Sequence, residues 1–385
     1  MVPGEQGPIE AWIVDDTGIA KKGTHSVGVA RQYCGRLGKQ DNCQVAVTLS
    51  IANHTASLPI AYRLYLPETW ANDQARRKKV RIPEEIAFKT KPQIALDQIR
   101  AAHAAGVAPG VVLADAGYGV NGGFRAGVTA LGVPYVVGVQ STLTVWPPGR
   151  GPLPAKPWSG RGRKPSCLNR DPEHQPVTVK ELALSLNKKA WRSLTWREGS
   201  NAPLASRFAA VRLRPASRDY NQTKPHAVEW LIVEWPNGEA EPTKYWLSTL
   251  PRHTPLQVLV DKAKLRWRIE RDYEELKGEL GLAHYEGRGW RGFHHHATLC
   301  IAAYGFLICE REAIPPSAPW QRKTPPLPKG FQPRGATNST RTSRRKLDRD
   351  DQKTTHRRTR KKSNAMSMLS NVAPPDSYAY PFMTQ

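Results

Sequence analysis

Apolar and polar residues alternate along this chain in two periods, one of strands and one of helices. Residues 11–15 (Ala-Trp-Ile-Val-Asp) read as a short buried strand that ends in an acid. Gly18, Gly23, Gly28, Gly35 and Gly38 punctuate a loop-rich stretch behind it. Residues 43–51 alternate polar and apolar, and 58–66 are rich in Ile, Tyr and Leu; both read as strands, joined near Asn53-His54. Residues 94–105 carry apolar positions at helical spacing, stopped by Gly106. Residues 110–115 (Gly-Val-Val-Leu-Ala-Asp) are a second short apolar strand ending in acid, with Gly-Tyr-Gly just behind Ala116. A helix over 124–131 and a strand over 133–139 follow. Strands alternating with helices in this way predict an α/β layer fold with a partly parallel sheet.

Residues 147–176 break the pattern, being dense in Pro, Gly and Arg, and read as a loop. Strand signals return at 208–213, 227–235 and 244–250, with Asn237-Gly238 as a hairpin turn between the last two. They predict a β-rich module inserted in the α/β domain. Helical spacing resumes over 255–280, as one helix, and again over 293–311. Beyond Pro315 the chain has almost no large apolar residues, so it cannot offset its ordering entropy and is expected to be disordered. The expected divisions are 8–145 and 251–314 for the α/β domain, 146–250 for the β-rich insertion and 315–385 for the basic tail.

Composition narrows the class. Apolar residues are 39% and charged residues 23% of the 385, so most of the chain can bury a core. The longest apolar run, 297–309, is 13 residues, short of the roughly 20 that a membrane-spanning helix needs. The first residues have no signal-peptide pattern, and the five scattered cysteines form no CxxC pair or zinc spacing. A soluble, cytoplasmic protein with reduced thiols is expected. The net charge is +24, and residues 321–385, with 15 Lys/Arg against 4 Asp/Glu, leave +13 on the first 320. The folded part is therefore basic in its own right, which points to nucleic acid as partner.

Two carboxylates, Asp15 and Asp115, sit at the ends of buried strands, the edge where open α/β sheets bind ligands. On neighbouring strands they would share a divalent cation, and their hard oxygens suit Mg²⁺ or Mn²⁺; each alone is also an ordinary turn or cap residue. Asp16 is the rival of Asp15. Residues 265–280 offer a third carboxylate. At about 100° per residue, Glu270 and Lys277 fall near 40° and 20° from Arg266, beside an apolar stripe of Leu265, Ile269, Tyr273, Leu276 and Leu280. Glu274 and Glu275 fall at about 80° and 180° and are expected to be idle surface. An amphipathic helix with i,i+4 ion pairs would show the same pattern. Lys21, Lys22, Arg31, Arg36 and Lys39, among the glycines after Asp15, are candidate phosphate contacts. Trp230, Trp235 and Trp246 are candidate base-stacking residues or strand packing. The loop 150–170 and the tail are candidates for non-specific DNA contact. His294, His295 and His296 are consecutive, point different ways on a helix, and make a poor chelate.

Arg266-x3-Glu270-x6-Lys277 matches most of the Tyr-x2-Arg-x3-Glu-x6-Lys signature of insertion-sequence DDE transposases, with Ala263 in place of the Tyr. Val14-Asp-Asp-Thr-Gly18, Lys21 to Tyr33, Leu113-Ala-Asp-Ala-Gly-Tyr-Gly119 and His284-Tyr-Glu-Gly-Arg-Gly-Trp290 extend the likeness over roughly residues 8–312. The chain thus resembles the DDE superfamily endonucleases of the cut-and-paste type. The resemblance implies an RNase H-like mixed sheet flanked by helices, with a β-rich insertion between the second Asp and the Glu, where 154 residues stand. It implies Asp15, Asp115 and Glu270 as catalytic, metal-holding acids, two Mg²⁺ (or Mn²⁺) ions, and hydrolysis followed by strand transfer. Arg266, Lys277, Lys21, Lys22 and Arg31 become DNA-binding candidates. Double-stranded DNA carrying transposon terminal inverted repeats, target DNA and a homodimer in a synaptic complex are the implied partners, in a prokaryotic cytoplasm at the nucleoid. The family's usual N-terminal helical domain is expected to be lacking, since the first acid lies only 14 residues from the start. A second reading therefore stands beside an active enzyme: a truncated DNA-binding relic without productive catalysis.

Overall fold

The structure, a computed structural model, describes residues 7–197 and 204–313. The tail expected to be disordered, 315–385, lies outside the described residues. The chain first lays down β1 (Ala11–Ala20), β2 (Ala30–Cys34), β3 (Lys39–Ala52) and β4 (Ser57–Leu64). Short helices α1 (Glu68–Ala71) and α2 (Gln74–Lys79) lead to α3 (Lys91–Ala104), β5 (Val111–Ala114), α4 (Ala116–Gly119), α5 (Gly122–Ala130) and β6 (Tyr135–Val139). Then come β7 (Thr144–Trp146), β8 (Val177–Thr178), α6 (Val179–Ser185), β9 (Arg192–Arg197), β10 (Leu204–Pro215), β11 (Glu229–Trp235) and β12 (Lys244–Ser248). Helices α7 (Leu256–Leu265), α8 (Arg268–Gly278) and α9 (Trp290–Ala313) complete the fold.

The first part forms a mixed sheet in the order β4-β3-β1-β5-β6, with β1, β5 and β6 parallel and β3 antiparallel to β1. This is the RNase H-like α/β arrangement. Strand alternation divides the core into two layers. Trp12, Val14, Val112 and Ala114 pack with Ile94 and Ile99 of α3 and Phe124 and Val128 of α5. Ile13, Leu113 and Val136 face the other way, against Ile269, Tyr273 and Leu276 of α8 and Phe293 and Tyr304 of α9.

The strands of 146–250 do not build a sheet of their own. β12 pairs antiparallel with β6, and β11, β10 and β7 continue outward, so the sheet carries straight on into the insertion. Asn237-Gly238 lies in the β11–β12 hairpin, with Gly238 at φ +87°. No named element interrupts the loop between β7 and β8. It is fastened instead by the buried Asp219, which accepts from Trp146 Nε1 at 2.6 Å and from Arg170 Nε at 3.1 Å. Each of the three candidate tryptophans has a packing partner. Trp246 is buried, Arg212 lies 5.2 Å from the Trp230 ring, and Trp235 packs on Trp191 with Arg207 at 4.7 Å.

Three local expectations change. β1 does not stop at Asp15: its parallel ladder to β5 ends at Ile13↔Leu113, but its antiparallel ladder to β3 runs on to Ala20↔Cys43. The glycine-punctuated stretch contains β2, a short strand paired, among the described residues, only to β3. The single helix expected over 255–280 is two, α7 and α8. At Arg266–Trp267 the amides of Trp267, Ile269 and Glu270 bond three residues back, tightening the turn.

The three histidines of α9 do go separate ways. His294 donates from Nδ1 to the Trp290 carbonyl at 3.0 Å and accepts the Leu64 amide at Nε2, 3.3 Å, tying α9 to β4. His296 contacts the Gly281 carbonyl at 3.0 Å, and His295 is exposed. Desolvation drives the His294 pKa from 6.5 down to about 4, with Arg63 nearby adding to the fall against the Trp290 bond. The folded protein therefore binds fewer protons here than the unfolded chain. Its contribution is full above pH 6.5 and is lost as pH falls toward 4. Melting temperatures measured across that window should converge for wild type and His294→Gln, the variant showing the flatter pH profile.

Candidate active site

Alternation along β1 sends its two neighbouring acids to opposite faces of the sheet. Asp15 shares the face of Ile13 and meets α8; Asp16 shares the face of Val14 and ion-pairs with Lys91 at the start of α3. Lys91 follows a capping box, Thr90 with Gln93, that fixes the first turn of α3. The Asp15 carboxylate takes the Asp16 amide at 2.8 Å and Arg266 Nη1 at 2.7 Å. Burial pushes its pKa up to about 7; Arg266 opposes this, while the charges of Asp115 and Asp16 add to it. This carboxylate is short of positive charge although it already has one guanidinium.

Asp115 follows β5 and caps α4, its Oδ1 accepting the Gly117 amide at 2.9 Å and the Tyr118 amide at 3.4 Å. The cap is held against the sheet by missing side chains. A Cβ on Gly119 would stand 1.9 Å from the Gly138 carbonyl of β6, and one on Gly138 would stand 2.9 Å from the Ala116 amide. Asp16, Asp115, Lys91 and Tyr118 line a cleft of about 270 Å³ beyond the end of the β1–β5 ladder. Tyr118 is buried, and desolvation, with all three acids nearby, holds its phenol well above the usual range.

Glu270 sits in the first turn of α8 with its side chain largely exposed, and Arg266 Nη2 lies 3.6 Å from its Oε1. One guanidinium thus spans Asp15 and Glu270. Beneath it, Tyr273 contacts Thr48, whose hydroxyl also donates to the Asp15 carbonyl at 3.2 Å. The α7–α8 turn is anchored by Lys264, which reaches both carboxylate oxygens of the buried Glu234 at 2.6 Å and lies 4.3 Å from the Trp196 ring. Burial pushes the Lys264 ammonium below its ordinary value, against the pull of Glu234.

The structure brings Asp15, Arg266 and Glu270 together; Asp115 is near enough for its charge to act on Asp15, but it lines its cleft with Asp16, the rival acid. Lys277 joins β1 lower down, its Nζ 3.1 Å from the Gly18 carbonyl. Lys21 is half-buried with its ammonium on the Tyr285 carbonyl, and burial lowers its pKa against the pull of Glu286. Lys22 is exposed in the following turn. Arg31 is not brought to the acids. It pairs with Asn42 of β3, six residues from the Thr48 that faces Asp15, on the order of 20 Å along the strand. Sequence reasoning misses Lys91 and Lys264 and reads Tyr118 only as part of the Gly-Tyr-Gly motif; the Thr-x2-Gln capping box is a signal for the place of Lys91. The donor set, carboxylate oxygens around an acid pushed toward neutrality, suits a hard divalent cation. Among the described residues, no three His, Cys, Asp or Glu side chains stand close enough to hold one ion; Arg266 occupies the space between Asp15 and Glu270.

Glu275 is not idle surface. It accepts Arg271 Nε at 3.1 Å and Arg311 Nη1 at 2.8 Å, joining α8 to α9. Its alanine variant should lose about 1 kcal/mol, whereas the exposed Glu274→Ala should stay within about 0.5 kcal/mol; urea melts of the two variants measure the difference. Gly119→Ala should cost about 1–3 kcal/mol through overpacking against β6, read by the same melts.

Comparison with known proteins bears on this geometry. A family profile described as DDE superfamily endonuclease matches residues 2–203, a span that includes both strands and both aspartates but ends before α8. A probable transposase for insertion sequence element IS701 from Microchaete diplosiphon is 34% identical over 130 residues, 34% of this chain and 31% of that protein. The match thus spans about a third of the length of that curated relative. With more than half of the sequence matched by the family and its sheet in RNase H-like order, the chain belongs to the DDE superfamily endonucleases.

Proposed function

We propose that this protein is a transposase-type DNA endonuclease and strand transferase in which Asp15, Asp115 and Glu270 hold two divalent ions, Mg²⁺ or Mn²⁺. The observation that carries the reading is the buried Asp15 carboxylate, pushed toward neutrality beside Asp115 and linked through Arg266 to Glu270. When bound, the ions supply activation of the attacking oxygen and stabilisation of the leaving one. The chain's own residues do the rest. Asp15, fixed in mid-strand by the β3 ladder, and Asp115, fixed by its cap, present oxygens from rigid elements. Arg266 neutralises Asp15 in the resting protein and is within reach of a scissile phosphate entering between Asp15 and Glu270. Lys277 steadies β1 and adds positive potential along the DNA path.

The substrate is double-stranded DNA carrying transposon ends. In the first step a water oxygen bonds to phosphorus, the P–O3′ bond breaks, and the departing 3′ oxygen is protonated. In the second, that 3′-hydroxyl bonds to a target phosphorus, loses its proton and displaces the target's own 3′ oxygen. Joining of two ends calls for two copies of the chain, a homodimer in a synaptic complex. The Arg266 bridge also favours a second reading, a DNA-binding relic in which the guanidinium takes the place of the ions.

Mg²⁺-dependent cleavage of duplex DNA bearing the element's ends separates the two. Asp115→Asn and Glu270→Ala should abolish cleavage and leave DNA binding intact, while Lys277→Ala should lower the rate less. A wild type that binds DNA but never cleaves it in Mg²⁺ or Mn²⁺ would establish the relic.

A further inference from the structure

Beyond the acids, a second site stands at the far end of β1. A cleft of about 430 Å³ is walled by His25 in the loop after β1, Arg76 and Lys79 of α2, and Arg288 in the segment before α9; among the described residues none of its lining is acidic. It is a built feature. The Arg76 guanidinium lies 3.7 Å from the centre of the buried Trp70 ring and donates to the Thr24 carbonyl at 3.3 Å. Trp70 Nε1 donates to the Val29 carbonyl at 2.7 Å. The walls are joined by backbone bonds, Val27 amide to Arg288 carbonyl and Trp290 amide to Val80 carbonyl, both 3.0 Å.

The cleft is joined to the acids by a seam. The segment from α8 to Arg288 meets β1 and its loop at successive points: Arg266 at Asp15, Lys277 at Gly18, the Tyr285 carbonyl at Lys21 and the Arg288 carbonyl at Val27. Cations recur along it. From Asp15 to Ala20 the strand covers about 17 Å, and the cleft lies beyond its end.

We infer that the cleft formed by His25, Arg76, Lys79 and Arg288 is a phosphate-binding site for the DNA backbone, gripping the duplex away from the scissile bond. This rests on the DNA reading above and adds a second anchoring point to it. A stacked arginine among exposed cations suits backbone positioning without base readout. Anchored there, the duplex would run along the seam toward Asp15.

The test is equilibrium binding of the full chain to a labelled duplex of about 30 bp, without divalent metal, between about 50 and 200 mM salt. Lys79→Ala/Arg288→Ala should flatten the plot of log affinity against log salt by about 1.8, two phosphate contacts' worth. The exposed pair Lys188→Ala/Lys189→Ala, outside the cleft, should leave the slope near that of the wild type. Equal melting temperatures check folding, and Lys79→Glu on the exposed side of α2 replaces the double variant should that fail to fold. An unchanged slope in the cleft variant, or an equal loss in the control pair, overturns the assignment while leaving the DNA reading in place. A wild type with no salt-dependent DNA binding overturns both.

Discussion

The structure turns on a charge buried in mid-strand. Asp15 lies where β1 has lost its parallel neighbour but kept its antiparallel one, so its backbone is fixed while its carboxylate meets Arg266. Burying a carboxylate is costly unless positive charge comes to it. Arg266 brings one, and to do so the chain must return through the insertion, end α7 and start α8 at the right place. Much of the second half of the described chain can be understood as what delivers that guanidinium and the neighbouring Glu270. The buried Lys264–Glu234 pair fixes the approach from the insertion side, and Tyr273 on Thr48 fixes it from below. Removing either partner of that buried pair would strand a charge away from water.

The sequence made the sheet and the acids legible because both rest on local periodicity. Trp12, Val14, Val112 and Ala114 alternate with Ile13 and Leu113, and the same alternation separates Asp15 from Asp16 once the direction of α8 is known. The helix beyond Arg266 was readable through its apolar stripe, and the i,i+4 relation of Arg266 to Glu270 survives in the structure. What could not be read is decided by partners distant in sequence. No local pattern tells β1 to continue past Asp15, because the instruction comes from β3. Nothing around Glu275 announces Arg311, and nothing in the glycine-rich run announces β2, which is held by β3. Arg266 read as a phosphate ligand; its partner Asp15 stands 251 positions away.

The small residues follow the same logic. Gly119 and Gly138 are where α4 lies against β6 without room for a methyl group, and that closeness sets the height of the Asp115 cap relative to Asp15. The acid is positioned by what its neighbours lack. Arg31, by contrast, sits on a strand whose register carries it away from the acids, so its charge belongs to another part of the surface.

The pairing of β12 with β6 has an architectural consequence. The chain leaves β6 after Val139 and returns beside it at Tyr245, and these two residues face each other across one ladder. The exit and entry of the insertion are thus adjacent, like the two sides of a doorway. Material between them can lengthen, shorten or diverge without altering the distance that the returning chain must cover before α7. Loop closure across such a doorway grows only slowly in entropic cost with length. The arrangement lets the outer strands and their Pro/Gly/Arg loop change while the acids keep their spacing.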